Sequence, residues 1–257
     1  MQLALPTRGL VGYTSGSQRA RIATELWGLE NLYCANCNSR SLNPSPPNTP
    51  AIDFECPKCR TCFQLKSQSH AFGNRIVDSA YSRMVREIKL NRTPNLLALR
   101  YDLESWDVRD LLLIPSFAFP LSAIEKRKPL ALTARRAGWV GCNILLGAIP
   151  SDARIPLIAN SVPVPPKQVR EQYARIRPLK SLKADQRGWT LDVLNVVRSL
   201  NKREFSLSEV YEHDEELAAL HPANRHVRDK IRQQLQLLRD MRLLEFLGAG
   251  TYRLTKN

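Results

Sequence analysis

Residues 51–66 read AIDFECPKCRTCFQLK, and the alternation within this stretch decides the fold. From Cys62 to Lys66 the two-residue period of a strand puts Gln64 and Lys66 on one face and Phe63 and Leu65 on the other. Upstream, Asp53 stands between Ile52 and Phe54. An acid inside an apolar strand is costly unless its carboxylate meets a metal ion or a cation. Ten residues, 54–63, separate Asp53 from Gln64, and Cys56-Pro-Lys-Cys59 lies among them. The stretch therefore predicts two short strands, 51–55 and 62–66, joined through a cysteine knuckle.

Working outward, Cys34-Ala-Asn-Cys37 supplies a second Cys-x-x-Cys pair, with 18 residues (38–55) between the two pairs. This is the spacing of paired zinc knuckles. Each tight turn presents two thiolates, and four complete a closed tetrahedral Zn²⁺ site of the structural kind. The competing readings are small buried cysteines or a redox dithiol, but redox motifs come as single pairs. Cys62 and Cys142 have no neighbouring metal-ligand pattern and read as ordinary buried cysteines.

Around this centre the pattern alternates helices and strands. Residues 15–27 place Ala20, Ile22, Ala23 and Leu26 at the spacing of an amphipathic helix, and Pro44, Pro46, Pro47 and Pro50 mark a loop. Residues 75–90 predict a helix through Ile76, Ala80, Met84 and Ile88, while 96–101 and 111–114 predict buried strands. Strands bracketing helices indicate an α/β core. Prolines interrupt the pattern between 150 and 185, where the connection between two domains, 1–184 and 185–257, is expected. Beyond Gly188 come a helix at 190–200, a short helix from Ser206 into a Glu-rich turn, a long helix at 223–242 and a hairpin at 248–250. That is the element order of a winged-helix domain.

The 257 residues carry 38 Lys and Arg against 24 Asp and Glu, a net charge of +14, which selects for a polyanionic partner. No apolar run reaches the ~18 residues of a spanning helix, so no membrane partner is expected. Met1 to Pro6 is too short for a secretory hydrophobic region and lacks a basic start. An intracellular, cytoplasmic protein without disulfides is expected.

Two regions suit DNA. In residues 133–139, Arg135 and Arg136 stand near Gly138 and Trp139, with Gly141 following; arginines pair with phosphates or guanine edges, and the indole offers a flat apolar surface. Trp139 reads either this way or as a core residue. In the long helix, Val227, Ile231, Leu235 and Leu238 form an apolar stripe, while Arg225, Arg232 and Arg239 recur every seven residues beside Gln236, with Arg228 on the same helix. Such a polar face is either a solvated surface or fits the major groove, and Arg253 in the following hairpin belongs to the expected wing.

Asp53 followed by Gln64-Leu65-Lys66 resembles the PD-(D/E)xK nuclease superfamily. More specifically, nearly the whole chain resembles the DpnI-like family of methyl-directed (type IIM) restriction endonucleases, which cut GATC only when its adenine is methylated on the exocyclic amine. The similarity runs through Ser17-Gln18, Ala20-Arg21 and Thr24-Glu25, the four cysteines, Asp53 and Leu65-Lys66. It continues through residues 127–131, 133–139 and 141–143, Arg187-Gly188-Trp189-Thr190, and residues 230–235. The resemblance implies a PD-(D/E)xK core with an inserted four-cysteine zinc knuckle and a C-terminal winged helix. It also implies that Asp53, Gln64 and the Leu65 backbone carbonyl hold catalytic Mg²⁺ while Lys66 orients or deprotonates the attacking water. It further implies that Trp139 acts at the methylated adenine, that the C-terminal domain also prefers methylated sites, and that adenine-methylated double-stranded DNA is the partner of a monomer. The chain departs from the family at Gln64, where the family has Glu, and so lacks one negative charge at the site. A non-catalytic methyl-DNA reader or transcription regulator of the same architecture is therefore the competing reading. A zinc-ribbon RNA-binding protein leaves the alternating strand unexplained.

Overall fold

The computed structural model describes residues 1–8, 10, 12–46 and 49–255; Pro47, one of the four loop prolines, lies outside them. Along the chain run α1 (Gly16–Asn31), β1 (Asn43–Pro44), β2 (Phe54–Glu55), β3 (Cys62–Gln68), β4 (Arg75–Ala80) and α2 (Tyr81–Lys89). Then come β5 (Asn95–Tyr101), β6 (Val108–Ile114), β7 (Ile124–Lys126), β8 (Gly141–Leu145), β9 (Ile155–Ala159), β10 (Val162–Pro163) and α3 (Pro166–Ile176). The remainder is α4 (Ala184–Ser199), β11 (Glu204–Ser206), α5 (Leu207–Tyr211), α6 (Asp214–Leu220), α7 (Val227–Asp240), β12 (Leu244–Gly248) and β13 (Thr251–Leu254). Contacts divide these elements into two units. One comprises Met1–Phe72, Pro94–Ser116 and Arg154–Ala174; the other comprises Gly73–Thr93, Phe117–Ala153 and Arg175–Asn257. An expected division at 184/185 follows chain order, whereas the contacts group two earlier segments with the C-terminal elements.

The first unit is built on a seven-stranded sheet in the order β1-β2-β3-β5-β6-β9-β10. Only β3 and β5 run parallel, with Phe63 opposite Asn95 and Lys66 opposite Ala98. Leu96, Leu97, Ala98 and Leu99 of β5 are all buried, because a central strand covered on both faces needs a continuous apolar run. Pro156 is accommodated in β9 beside a register shift against β6, the position in which a strand tolerates a missing N–H. Of the predicted strand at 51–55 only Phe54 and Glu55 pair, opposite Phe63 and Cys62, so Asp53 sits just ahead of the strand. Its N–H still donates to the Phe63 carbonyl at 2.9 Å.

Helix α1 lies close to β2. A Cβ on Gly28 would stand 2.6 Å from Cζ of Phe54, a ring that is itself buried and cannot retreat. Gly28→Ala is expected to destabilise the protein by about 1–2 kcal/mol, because overpacking costs ~1–3 kcal/mol and the helix-propensity gain returns at most ~1. At Gly16 an added carbon meets nothing within 4 Å, so Gly16→Ala should leave the urea midpoint unchanged or raise it. Equal midpoints for the two variants would contradict this packing.

In the second unit, residues 75–90 correct the prediction of one helix. Arg75–Ala80 is a strand and only Tyr81–Lys89 is helical. β4, β8 and β7 form an antiparallel sheet in that order. The C-terminal elements follow the expected helix–helix–helix–hairpin order, with the Glu-rich turn resolved as the additional helix α6. Ser206 caps α5 in a reciprocal capping box with Glu209. On α7, Ile231, Leu235 and Leu238 are buried together with Gln234, whose Oε1 accepts from the Thr190 hydroxyl of α4 at 2.8 Å. Strands β11, β13 and β12 make the wing sheet. Asp152 (side chain 2% exposed) is held by both ends of the Arg198 guanidinium, the pairing a buried carboxylate requires. Among the described residues no helix is long and apolar enough to cross a membrane.

Candidate functional site

The four cysteines converge. The sulfurs of Cys34, Cys37, Cys56 and Cys59 all lie within 4.8 Å of one another, with Cys34 to Cys59 and Cys37 to Cys56 at 3.5 Å. A tetrahedral site with Zn–S bonds of about 2.3 Å needs sulfurs at about this separation, so the donor set fits a structural zinc. Backbone N–H groups of Ser39 and Cys59 point at the Cys37 and Cys56 sulfurs, each at 3.5 Å. Burial pushes the Cys34 thiol up; it also acts on Cys59, but hydrogen bonds from Thr61 together with the neighbouring thiols bring Cys59 down to about 6. Arg170 of α3 braces the first knuckle from outside. Its Nε and Nη2 donate to the carbonyls of Cys34 and Ser39, each at 3.0 Å, and its guanidinium lies over the Tyr33 ring. Cys62 and Cys142 stand outside the cluster, Cys142 donating to the Ser79 carbonyl.

The second knuckle is the turn between β2 and β3, so it positions Asp53 against β3. Pairing with β2 ends at Phe63, and beyond that point the edge of β3 faces the Asp53 carboxylate, which accepts the Leu65 N–H at 2.7 Å. A strand residue directs its N–H and C=O to the same side, so the Leu65 carbonyl emerges on that edge too. Gln64 is 9% exposed, while Lys66 is half-buried and its charge acts on Asp53. Burial raises the Asp53 carboxyl; the Leu65 N–H opposes this, Glu25 adds to it, and Lys66 and Arg21 oppose it. The Asp53 carboxylate, the Gln64 carboxamide oxygen and the Leu65 carbonyl are oxygen donors of the kind a hard divalent cation takes.

Glu25 and Arg21 were not singled out for the site by the residue pattern, yet they line with Asp53 a cavity of about 450 Å³ beside α1. They pair with each other at 2.7 Å. Their i, i+4 spacing is common on helix surfaces, so nothing in the pattern associates them with Asp53.

Trp139 lies on the β7–β8 hairpin. Gly138 adopts φ +75°, a backbone conformation that favours glycine, and a Cβ on Gly141 would meet the indole at 2.8 Å, so the ring lies where only a glycine leaves room at 141. Arg136 stacks over the indole at 4.7 Å, and Arg135 is exposed. The hairpin is anchored at its base, where Arg75 Nε and Nη2 each donate to Glu125 at 2.8 Å and Asn143 Nδ2 donates to it at 2.6 Å. Hydrogen bonds from Arg75 and Asn143 hold the Glu125 carboxyl at about 2.

On α7, Arg232 and Gln236 are exposed on the side away from the buried stripe. Arg232 pairs with Asp229, and Arg228 pairs with Asp214 at 2.7 Å while lying over the Tyr211 ring. Arg225 precedes the helix, which begins at Val227 rather than 223. Arg253 is spanned between Glu204 at 2.9 Å and Glu245 at 3.2 Å across the wing sheet.

Sequence models of two families match the chain. The DpnI model, described as the Dam-replacing family, matches residues 1–182, and the DpnI_C model, described as the Dam-replacing HTH domain, matches residues 185–254.

Proposed function

The chain belongs to the Dam-replacing family of DpnI-like methyl-directed restriction enzymes, and from that premise we propose that it is a Mg²⁺-dependent endonuclease cleaving adenine-methylated GATC in double-stranded DNA. The observation that carries the catalytic reading is the 2.7 Å hydrogen bond from the Leu65 N–H to Asp53, which ties the acid to the strand bearing Gln64 and Lys66.

Asp53, the Gln64 carboxamide and the Leu65 carbonyl would hold the catalytic Mg²⁺. Bound there, the ion neutralises charge on the scissile phosphate and lowers the pKa of a water. Lys66 orients that water and takes part in its deprotonation. The Leu65 N–H, by occupying one Asp53 oxygen, fixes the carboxylate's orientation. We propose further that residues 1–184 act as the catalytic domain, with structural zinc on the four cysteines, and that 185–257 act as a winged-helix reader. Arg135, Arg136 and Trp139 read DNA from the hairpin, with Arg225, Arg228, Arg232 and Gln236 of the α7 region and Arg253 of the wing contributing from the reader. Arg228, Arg232 and Arg253 would exchange their present carboxylate partners for phosphates or bases. The active form is a monomer working in the cytoplasm.

A plasmid prepared in adenine-methylated and unmethylated forms tests this directly. Cutting of the methylated form alone is expected with Mg²⁺; binding without cutting of either would leave a methyl-DNA reader, the reading that the neutral Gln64 favours. Equal cutting of both would remove the methyl dependence. Gln64→Glu adds the charge that the family places here and should lower the Mg²⁺ concentration for half-maximal cleavage on the order of tenfold. An unchanged Mg²⁺ requirement would separate residue 64 from metal binding.

A further inference from the structure

The hairpin between β7 and β8 continues past its sheet as a hydrogen-bonded tip. Leu130 N–H donates to the Trp139 carbonyl at 2.9 Å, Gly138 N–H to the Leu130 carbonyl at 3.0 Å, and Ala134 N–H to the Ala131 carbonyl at 2.9 Å. Within this closed tip stands Leu132, 93% exposed. Arg127, Lys128, Arg135 and Arg136 surround it in the chain and are exposed as well, and no Asp or Glu occurs from Lys126 to Ser151. Among the described residues none of these four cations forms an ion pair. Trp139 is already engaged, with Arg136 over its ring and Gly141 beneath its edge. Leu130 of the same tip is 37% exposed, so Leu132 is the tip's most open apolar side chain.

Turns favour polar residues, and a leucine in water adds nothing to the fold. Four cations without ion pairs favour a polyanion, and an apolar group lying between them in the chain needs an apolar spot on that polyanion. Duplex DNA has such spots in the major groove, which also admits a two-stranded ribbon. We infer that Leu132 is a base-methyl contact: the tip sets its cations on phosphates and its leucine against a methyl group on a base edge in the major groove. The inference rests on the DNA-binding reading above. The methyl group belongs to thymine C5 or to N6 of methylated adenine, and the test separates the two.

Wild-type protein and Leu132→Ser are compared by fluorescence anisotropy, without added Mg²⁺, on four GATC duplexes: adenine methylated or not, each with thymine or with uracil. Burying a methyl-sized apolar surface corresponds to about fivefold in affinity. Leu132→Ser should lose about this factor where the contacted methyl is present and nothing on the unmethylated uracil duplex. Loss that follows adenine methylation names the N6-methyl, and loss that follows thymine names the C5-methyl. The same ratio of variant to wild type on all four duplexes, including no loss at all, overturns the inference. Because Leu132 is exposed, an unchanged melting temperature is expected for the variant. Cleavage of methylated plasmid by wild type is scored separately, so failure of the nuclease reading shows there while the binding ratios still decide the role of Leu132.

Discussion

Replacing Cys56 and Cys59 together by Ser is expected to abolish both metal retention and cooperative folding of the segment that carries Asp53. Between α1 and β3 the strands among the described residues are the two-residue β1 and β2, extended by single backbone bonds such as Ser45 N–H to the Asp53 carbonyl and Asp53 N–H to the Phe63 carbonyl, too little to order the segment alone. A zinc ion held by the four clustered cysteines would supply what is missing. Structural zinc contributes about 10–16 kcal/mol in small zinc modules, which matches or exceeds the ~5–15 kcal/mol net stability of a typical domain. Cleavage should fall with the fold, because the second knuckle sets the turn that brings Asp53 to Leu65. Cys62→Ser, outside the cluster, should keep zinc content and melting temperature near wild type. Zinc analysis with thermal unfolding by circular dichroism checks this. A double variant that melts like wild type and still cuts would separate the knuckle from the active strand pair.

Asp53→Asn should cut on the order of a thousandfold more slowly, since metal-assisted charge stabilisation is worth several kcal/mol and each ~1.4 kcal/mol is tenfold. The same variant should be more stable than wild type at neutral pH. Burial holds the Asp53 carboxyl above its ordinary value, so in the fold it binds its proton at a higher pH than in the unfolded chain. The ionised group therefore destabilises the fold in full above its folded pKa, and the penalty is relieved as pH falls through that value towards the unfolded one. The melting-temperature advantage of Asp53→Asn should accordingly be present at neutral pH and vanish in acid. Wild-type cleavage should fall over the same acidic window as Asp53 is neutralised. A variant less stable than wild type at neutral pH would mean that the hydrogen bond from Leu65 outweighs desolvation.

The clustered cysteines and the strand that carries Gln64 and Lys66 beside Asp53 were legible because their signals are local: two tight turns and a period of two. The helix–helix–helix–hairpin order of the C-terminal elements was legible for a similar reason, as each element carries its own periodicity. Arg75–Ala80 was misread because Ile76, Ala80, Met84 and Ile88 keep a helical interval across a strand–helix junction, although Val77 in that strand is 58% exposed between buried Ile76 and Asp78. Strands β7 and β8 were not seen. β7 is three residues long, and β8 finds Arg75–Ala80 as its partner some 60–70 positions earlier, a pairing that no local window contains. The proline-rich stretch after 150 hid β9 and α3, since Pro156 sits beside a register shift and Pro166 opens α3, where its missing N–H is not needed. The grouping of 73–93 and 117–153 with the C-terminal elements is likewise made by long-range contacts. The same holds for Glu25 and Arg21 beside Asp53.

The brace that Arg170 places on Cys34 and Ser39 bears on the timing of synthesis. It closes across 131 to 136 positions, and β9 and β10 must also arrive before the seven-stranded sheet is complete. Such long-range closure is slow relative to local structure. A nascent chain that has emerged only as far as β3 already contains all four cysteines, Asp53, Gln64 and Lys66 but lacks the parallel partner of β3 and the arginine that steadies the first knuckle. Competence is thereby delayed until Arg170 has left the ribosome, and until then the four thiols must remain reduced to keep their capacity for a metal ion.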